Sequence, residues 1–181
     1  FRRAIIHYRK AIKVKPNFVE ALISLAIAHG KTGDNSHALD CYKKALEIGS
    51  SNPQIHVNIG TTYRNMGKLD DEISHYKLAI SIKPYYASAY NNLANVLVDK
   101  GDFDSAIKNY NRALQIQPKD SDTYVNLGVA YHRKDQISNA LECYKRAINF
   151  EPDHDQAYWN LEKSLHNVRF KKNDPNLAMI I

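Results

Sequence analysis

Residues Ala87 to Asp120 read ASAYNNLANVLVDKGDFDSAIKNYNRALQIQPKD. In the first half, Tyr90, Leu93, Ala94 and Leu97 recur at the i, i+3, i+4, i+7 spacing that gathers apolar side chains on one stripe of an α-helix, which predicts a helix over about Ala87 to Lys100. Gly101 can take the left-handed conformation that closes a helix, and Asp102 behind it can cap the next one. In the second half Ala106, Ile107, Tyr110, Ala113, Leu114 and Ile116 mark a helix from about Asp104 to Gln117. Pro118 stops it, because proline disfavours the helical conformation of the residue before it. One such pair of short helices cannot bury its apolar face alone, so the rest of the chain has to supply its partners.

It does so by repeating the pair. Ala11, Ala45, Ala79, Ala113 and Ala147 are spaced 34 residues apart, and so are Tyr8, Tyr42, Tyr76, Tyr110 and Tyr144. Pro84, Pro118 and Pro152 keep the same period, Pro16 lies two periods before Pro84, and Ser50 fills the slot between. Gly33 and Gly67 repeat the turn of Gly101; Asp135 replaces glycine in the fourth unit, where the turn is expected to be least regular. Three registers in agreement predict stacked helical pairs that share a continuous core. The expected divisions are a second helix of a truncated repeat at 1–18, full repeats at 19–52, 53–86, 87–120 and 121–154, a first helix of a last repeat or cap at 155–168, and an irregular tail at 169–181.

These residues resemble the tetratricopeptide repeat family over nearly the whole chain. The family pattern has a large aromatic, Leu-Gly or Leu-Ala and Tyr in the first helix, then Ala, aromatic, Ala and Pro in the second. TYVNLGVAY at Thr123 to Tyr131, with Ala140, Tyr144, Ala147 and Pro152, fills nearly every slot. The resemblance implies an all-α fold, a right-handed α-solenoid of antiparallel helix pairs with an extended concave surface. Small residues at Gly60, Ala94 and Gly128 are expected to let helices approach, with the tyrosines filling the space between them. Leu22 and His56 stand where the first aromatic is expected, and His29 where Tyr63 and Tyr131 sit. Glu162 occupies the small-residue slot, so the last helix is expected to cap the stack or to meet something different. Pro175 stops the array, and the apolar LAMII at the end is unsuited to water if ordered.

In this family the concave wall is lined by first-helix residues facing away from the second helix. Carried over, the wall consists of Ile23, Ser24, Ile27 and Lys31; Val57, Asn58, Thr61, Arg64 and Asn65; Asn91, Asn92, Asn95 and Asp99; and Val125, Asn126, Val129, His132 and Arg133, continued by Trp159, Asn160 and Lys163. Asn58, Asn92, Asn126 and Asn160 repeat at 34 and form a ladder of amides. An amide side chain offers both acceptor and donors, as an extended peptide backbone requires; the same asparagine also serves as a tolerated helix-bridging residue. The ladder resembles the wall of the repeat region of O-GlcNAc transferases and of some cargo-binding repeat proteins. The carboxylate clamp of chaperone-binding members is not expected, because its lysine slots hold Ile23, Val57, Asn91 and Val125, or Glu20, Gln54, Ser88 and Asp122.

The chain has 181 residues, with 25 Lys and Arg against 19 Asp and Glu for a net charge of +6. Part of that charge forms a stripe on the outer face of the second helices: Arg9, Lys10, Lys43, Lys44, Lys77, Arg112, Lys145 and Arg146. A solvated face is the ordinary meaning of such a stripe; attraction to an acidic protein surface is the sharper one. Nucleic acid is not expected, since no aromatics interleave with the charge. No stretch approaches the roughly 18 apolar residues of a membrane span. Phe1 to Lys15 is basic and lacks acid, like a transit peptide, but Ala4, Ile5, Tyr8, Ala11 and Ile12 have helical spacing, and the chain is expected to be cut from something longer.

No phosphate-binding glycine loop or metalloprotease, redox or hydrolase motif is present, so no catalytic residue, cofactor or metal is expected. His29, His56 and His75 fall in different slots of the period, which speaks against a metal cluster. Cys41 and Cys143 share a slot three units apart and are expected to be buried free thiols; two cysteines suit a reducing, cytoplasmic setting, including large assemblies such as the cytoskeleton. The expected function is that of a non-catalytic scaffold, binding a peptide or partner protein in its groove within a larger complex. The alternative is the substrate-recognition arm of a larger enzyme such as an O-GlcNAc-type glycosyltransferase.

Overall fold

The computed structural model describes residues 1–49 and 51–170, with side chains through residue 166. Ser50 and residues 171–181, including Pro175 and LAMII, lie outside the described residues. Within them the chain forms α1 (Arg2–Val14), α2 (Val19–Lys31), α3 (Asn35–Glu47), α4 (Pro53–Asn65), α5 (Leu69–Ile82), α6 (Ala87–Asp99), α7 (Phe103–Ile116), α8 (Ser121–Arg133), α9 (Ile137–Phe150) and α10 (Asp155–Phe170), and no strand. Over the quoted stretch, α6 and α7 follow the apolar spacing to within a residue, and Gln117 leaves the helical conformation ahead of Pro118. Residues 169 and 170, expected in an irregular tail, are the last two of α10.

Two compact units divide at Pro84 and Tyr85. In the first, α2 packs on α3 and α4 on α5, while α3 touches α4 and α2 touches α4; α1 lies against α2. The second repeats the scheme, with α6 on α7, α8 on α9, α7 on α8, α9 on α10, and the first helices α6, α8 and α10 in contact in succession. Each unit is therefore an all-α stack of helix pairs. Leu22, Ala26, Tyr42, Ile55 and Ile59 centre the core of the first unit; Ala94, Tyr110, Leu127, Tyr144 and Ala157 centre that of the second.

The period of 34 is a packing period. Tyr42, Tyr76, Tyr110 and Tyr144 are all at most 3% exposed. Opposite two of them stand the glycines: a Cβ built on Gly60 would lie 2.5 Å from the Tyr76 ring, and one on Gly128 would press equally into Tyr144. The small slot thus exists to admit a tyrosine ring against the helix backbone.

The inter-helix turns also repeat, with one departure from expectation. Gly33, Gly67 and Gly101 adopt φ of 80°, 70° and 80°. Asp135 adopts φ 59° and keeps the same turn, its N–H donating to His132 O and that of Gln136 to Tyr131 O, as Gly101 and Asp102 do to Val98 and Leu97. The fourth turn is regular because aspartate tolerates the left-handed region better than most residues. Asp102 caps α7 by accepting from Ser105 N–H at 3.1 Å, and Asp34, Asn52 and Asp120 cap α3, α4 and α8 in the same way.

Candidate functional site

The first-helix wall of the first unit is a real recess. Ile27 and Lys31 of α2 face Asn58, Thr61 and Asn65 of α4 across a cavity of about 230 Å³ floored by Tyr42. Ile27 is 42% exposed, so the recess offers one apolar contact among an ammonium, two amides and a hydroxyl. The Asn58 side chain is bridged within the chain: its Oδ1 accepts from Gln54 Nε2 at 2.9 Å, and it is hydrogen-bonded to the buried Tyr42 hydroxyl. Thr61 Oγ1 donates to Val57 O at 3.1 Å and lies 3.3 Å from the Tyr76 hydroxyl. Ile23 and Ser24 are half-buried and Val57 is buried.

Arg64, assigned to the same wall, turns its Nε to Glu72 Oε1 at 3.8 Å. Glu72 is fully buried, in the slot that holds Ala38, Ala106 and Ala140 elsewhere. That substitution was visible in the sequence as a break in an alanine register, and it ties up the arginine.

In the second unit the wall amides are more engaged with one another. Asn126 Nδ2 lies 3.5 Å from Asn91 Oδ1, and Asn95 Oδ1 accepts from the Tyr110 hydroxyl at 2.6 Å. Asn160 is buried and donates to Gln156 O one turn earlier. Asn92 and Val129 are half-buried, Asp99 and Arg133 are exposed, and His132 Nδ1 meets Ser164 Oγ at 2.8 Å. Val125, expected on the surface of the wall, is only 1% exposed: α8 turns it into the core between Tyr124 and Leu127. Trp159 is 59% exposed with Lys163 Nζ 4.7 Å over its ring.

Sequence profiles described as tetratricopeptide repeat match residues 53–86 and 121–154, and a profile described as TPR repeat matches 31–67 and 94–135, so together they span more than half of the chain. The chain is a tetratricopeptide repeat protein. This repeat chain is 27% identical to the protein in a crystal structure of MamA, over 82% of this chain and 86% of that one, with a TM-score of 0.73. It shares its fold with YrrB, described as a TPR protein with an unusual peptide-binding site, at 24% identity over 87% and 81% of the two chains and a TM-score of 0.69. It also shares its fold with the first TPR of Spaghetti (RPAP3) bound to an HSP90 peptide, at 22% identity over 66% and 95% and a TM-score of 0.63. A search of curated proteins gave no match.

On the second-helix face of the repeats, Arg9, Lys10, Lys43, Lys44, Lys77, Lys145 and Arg146 are exposed and Arg112 is half-buried. Arg112 and Arg146 each have named neighbours. Arg112 donates to Gln115 and lies over the Tyr85 ring, and Arg146 donates to Glu142 Oε1 at 3.0 Å and lies over Tyr124. A second cavity, about 430 Å³, opens on this side of the second unit between Leu114, Gln115, Tyr124, Glu142 and Arg146.

The histidines come together in two places that slot arithmetic hid. His56 Nδ1 lies 3.1 Å from His75 Nδ1, with the His75 ring against Tyr63. Burial lowers the pKa of both. His29 and His37 flank Asp34, at 2.9 and 2.8 Å. The period separates these residues in sequence, but a first-helix slot and a second-helix slot face each other across the hairpin. Both cysteines are free; Cys143 is buried, which pushes its thiol up to about 12, and Cys41 is half-buried.

No helix among the described residues is long and apolar enough to cross a membrane.

Proposed function

We propose that this repeat chain is a protein-interaction scaffold that holds an extended peptide segment against its first-helix face, as one section of a larger protein assembly. The observation that carries the reading is the recess of the first unit, where Ile27, Lys31, Asn58, Thr61 and Asn65 meet around about 230 Å³ of space. An ammonium and two amides match the carbonyls and N–H groups of an extended backbone, and the exposed Ile27 gives one side chain of the peptide an apolar seat. Two proteins that share this fold are described as peptide-binding, which agrees with the reading. A carboxylate clamp is not part of it, since the buried Val57 and Val125 occupy lysine slots. The Lys and Arg stripe on the second-helix face adds attraction to an acidic protein surface, with a strength that falls as salt rises.

The test is a set of peptides selected on the purified chain from a random display library. Asn58→Ala with Asn65→Ala is expected to weaken the selected peptides tenfold or more, while Lys145→Glu on a second helix of the other unit leaves them unchanged at moderate salt. Equal affinity for the chain and for a variant with Asn58, Asn92 and Asn126 all changed to Ala would overturn the groove reading.

A further inference from the structure

The hairpin of α2 and α3 carries a side-chain cluster that peptide binding does not use. His29 closes α2 in a slot filled by Tyr63, Leu97 and Tyr131 in the other hairpins; Asp34 is the N-cap of α3; His37 lies in its first turn. The residues matching His37 are Asp71, Ser105 and Asn139, so this hairpin alone of the four full ones sets an imidazole on each side of a carboxylate. His29 Nδ1 lies 2.9 Å from Asp34 Oδ2, and His37 Nδ1 lies 2.8 Å from Asp34 Oδ1. One ligand atom from each residue falls within 4.8 Å of the other two. Capping α3 requires only Asp34 and leaves this convergence of two rings unexplained.

We propose that His29, Asp34 and His37 bind a borderline divalent transition-metal cation, of which zinc is the type. Two imidazole nitrogens and one carboxylate oxygen are the donor set that favours zinc, nickel or copper over magnesium and calcium. Metal bonds of about 2.0 to 2.2 Å require the three donors to close in by small rotations. The exposures allow it: the His29 side chain, 5% exposed, is fixed by packing, while those of Asp34 at 37% and His37 at 62% are free to swing toward it. Facing a carboxylate that only accepts, each Nδ1 carries the proton; a cation takes that position when the proton moves to Nε2, as in a metal-bound neutral imidazole. Three protein donors leave a fourth position for water. Because His29 belongs to α2 and the other two to the start of α3, the ion clips the hairpin shut.

The experiment is a calorimetric zinc titration of the tag-free chain, paired with thermal melts and with cobalt absorption as a geometry probe. One zinc per chain is expected, with a rise in Tm and a tetrahedral cobalt spectrum. Asp34→Asn keeps a good helix cap, and His37→Ala alters an exposed side chain, so both fold; each should weaken zinc tenfold or more and abolish the zinc-dependent rise in Tm. His75→Asn, at the other histidine pair, should leave zinc affinity unchanged. Absence of zinc binding, or zinc affinity in Asp34→Asn and His37→Ala unchanged from that of the parent chain, overturns the proposal. So does a loss of affinity confined to His75→Asn, which would put the ion at the other pair. None of these outcomes depends on whether a peptide binds the groove.

Discussion

At the scale of single residues, the buried ion pair of the first unit has two unequal partners. Glu72 is fully buried, whereas the Arg64 side chain is 39% exposed. Arg64→Ala would leave a buried carboxylate without its cation and should cost roughly 3 kcal/mol, the low end for a buried pair. Glu72→Ala restores the alanine of the other repeats and leaves an arginine able to reach water, so it should be neutral or stabilising. Urea midpoints of the two variants check the asymmetry, and equal losses would contradict it. Gly60 balances two effects of similar size. Alanine gains about 1 kcal/mol of helix propensity but moves the Tyr76 ring, a shift that Ala26 and Ala94 show the slot can absorb beside Tyr42 and Tyr110. Gly60→Ala should therefore change stability by less than about 1 kcal/mol, and Gly60→Leu should lose about 3 through overpacking. The Gly60 and Tyr76 partnership was legible in the sequence because both lie on the period. Glu72 was equally legible, as a break in the Ala38, Ala106 and Ala140 register, but a search for what repeats passes over what fails to.

At the scale of elements, turns and caps make separable contributions. Nothing lies within 4 Å of a Cβ at Gly101, so Gly101→Ala costs only its left-handed backbone, about 1 to 2 kcal/mol. Asp102→Ala removes the cap of α7 and should cost about 1 kcal/mol; the double variant, read by chemical denaturation, should lose more than either. The bounds of α6 and α7 could be read to within a residue because amphipathic spacing, glycine and proline act locally. Regularity at Asp135 could not, because a residue type gives only a preference for φ, and the repeated hydrogen bonds of the turn decide it. The same limit hid His56 against His75 and His29 against His37. Linear spacing orders residues along a helix face, whereas these contacts run across a hairpin.

At the scale of the whole molecule, acid acts first on one unit. His56 and His75 share a hydrogen bond in which one ring donates and the other accepts, so a second proton sets two N–H groups facing each other. Their folded pKa values lie below the ordinary 6.5, with Asp71 only partly offsetting burial at His75. The unfolded chain therefore takes up protons first, and the stability this pair contributes is present above 6.5 and lost as pH falls toward the folded values. Hydrogen exchange should show α4 and α5 losing protection as pH falls below 6.5, and His75→Gln should flatten that dependence. The amide ladder marks where periodicity stopped being informative. Its recurrence was plain, but whether Asn58, Asn126 and Asn160 face a ligand or groups of the chain itself depended on contacts to Gln54, Asn91 and the backbone of Gln156, which recurrence alone does not give.

The tyrosine rings that seat each hairpin have a consequence in alkali. Burial pushes Tyr42, Tyr76 and Tyr144 from 10 up to about 12, so the stability they contribute is complete below pH 10 and lost as pH climbs toward 12. The interlocking that excludes water from those hydroxyls also makes them fuses. Once one ionises, its charge is driven out of the seam, the neighbouring repeat is uncovered, and the next phenol meets base. Within a unit, the part of the tyrosinate absorbance that belongs to these buried phenols should then rise in one steep step that records the unit coming apart.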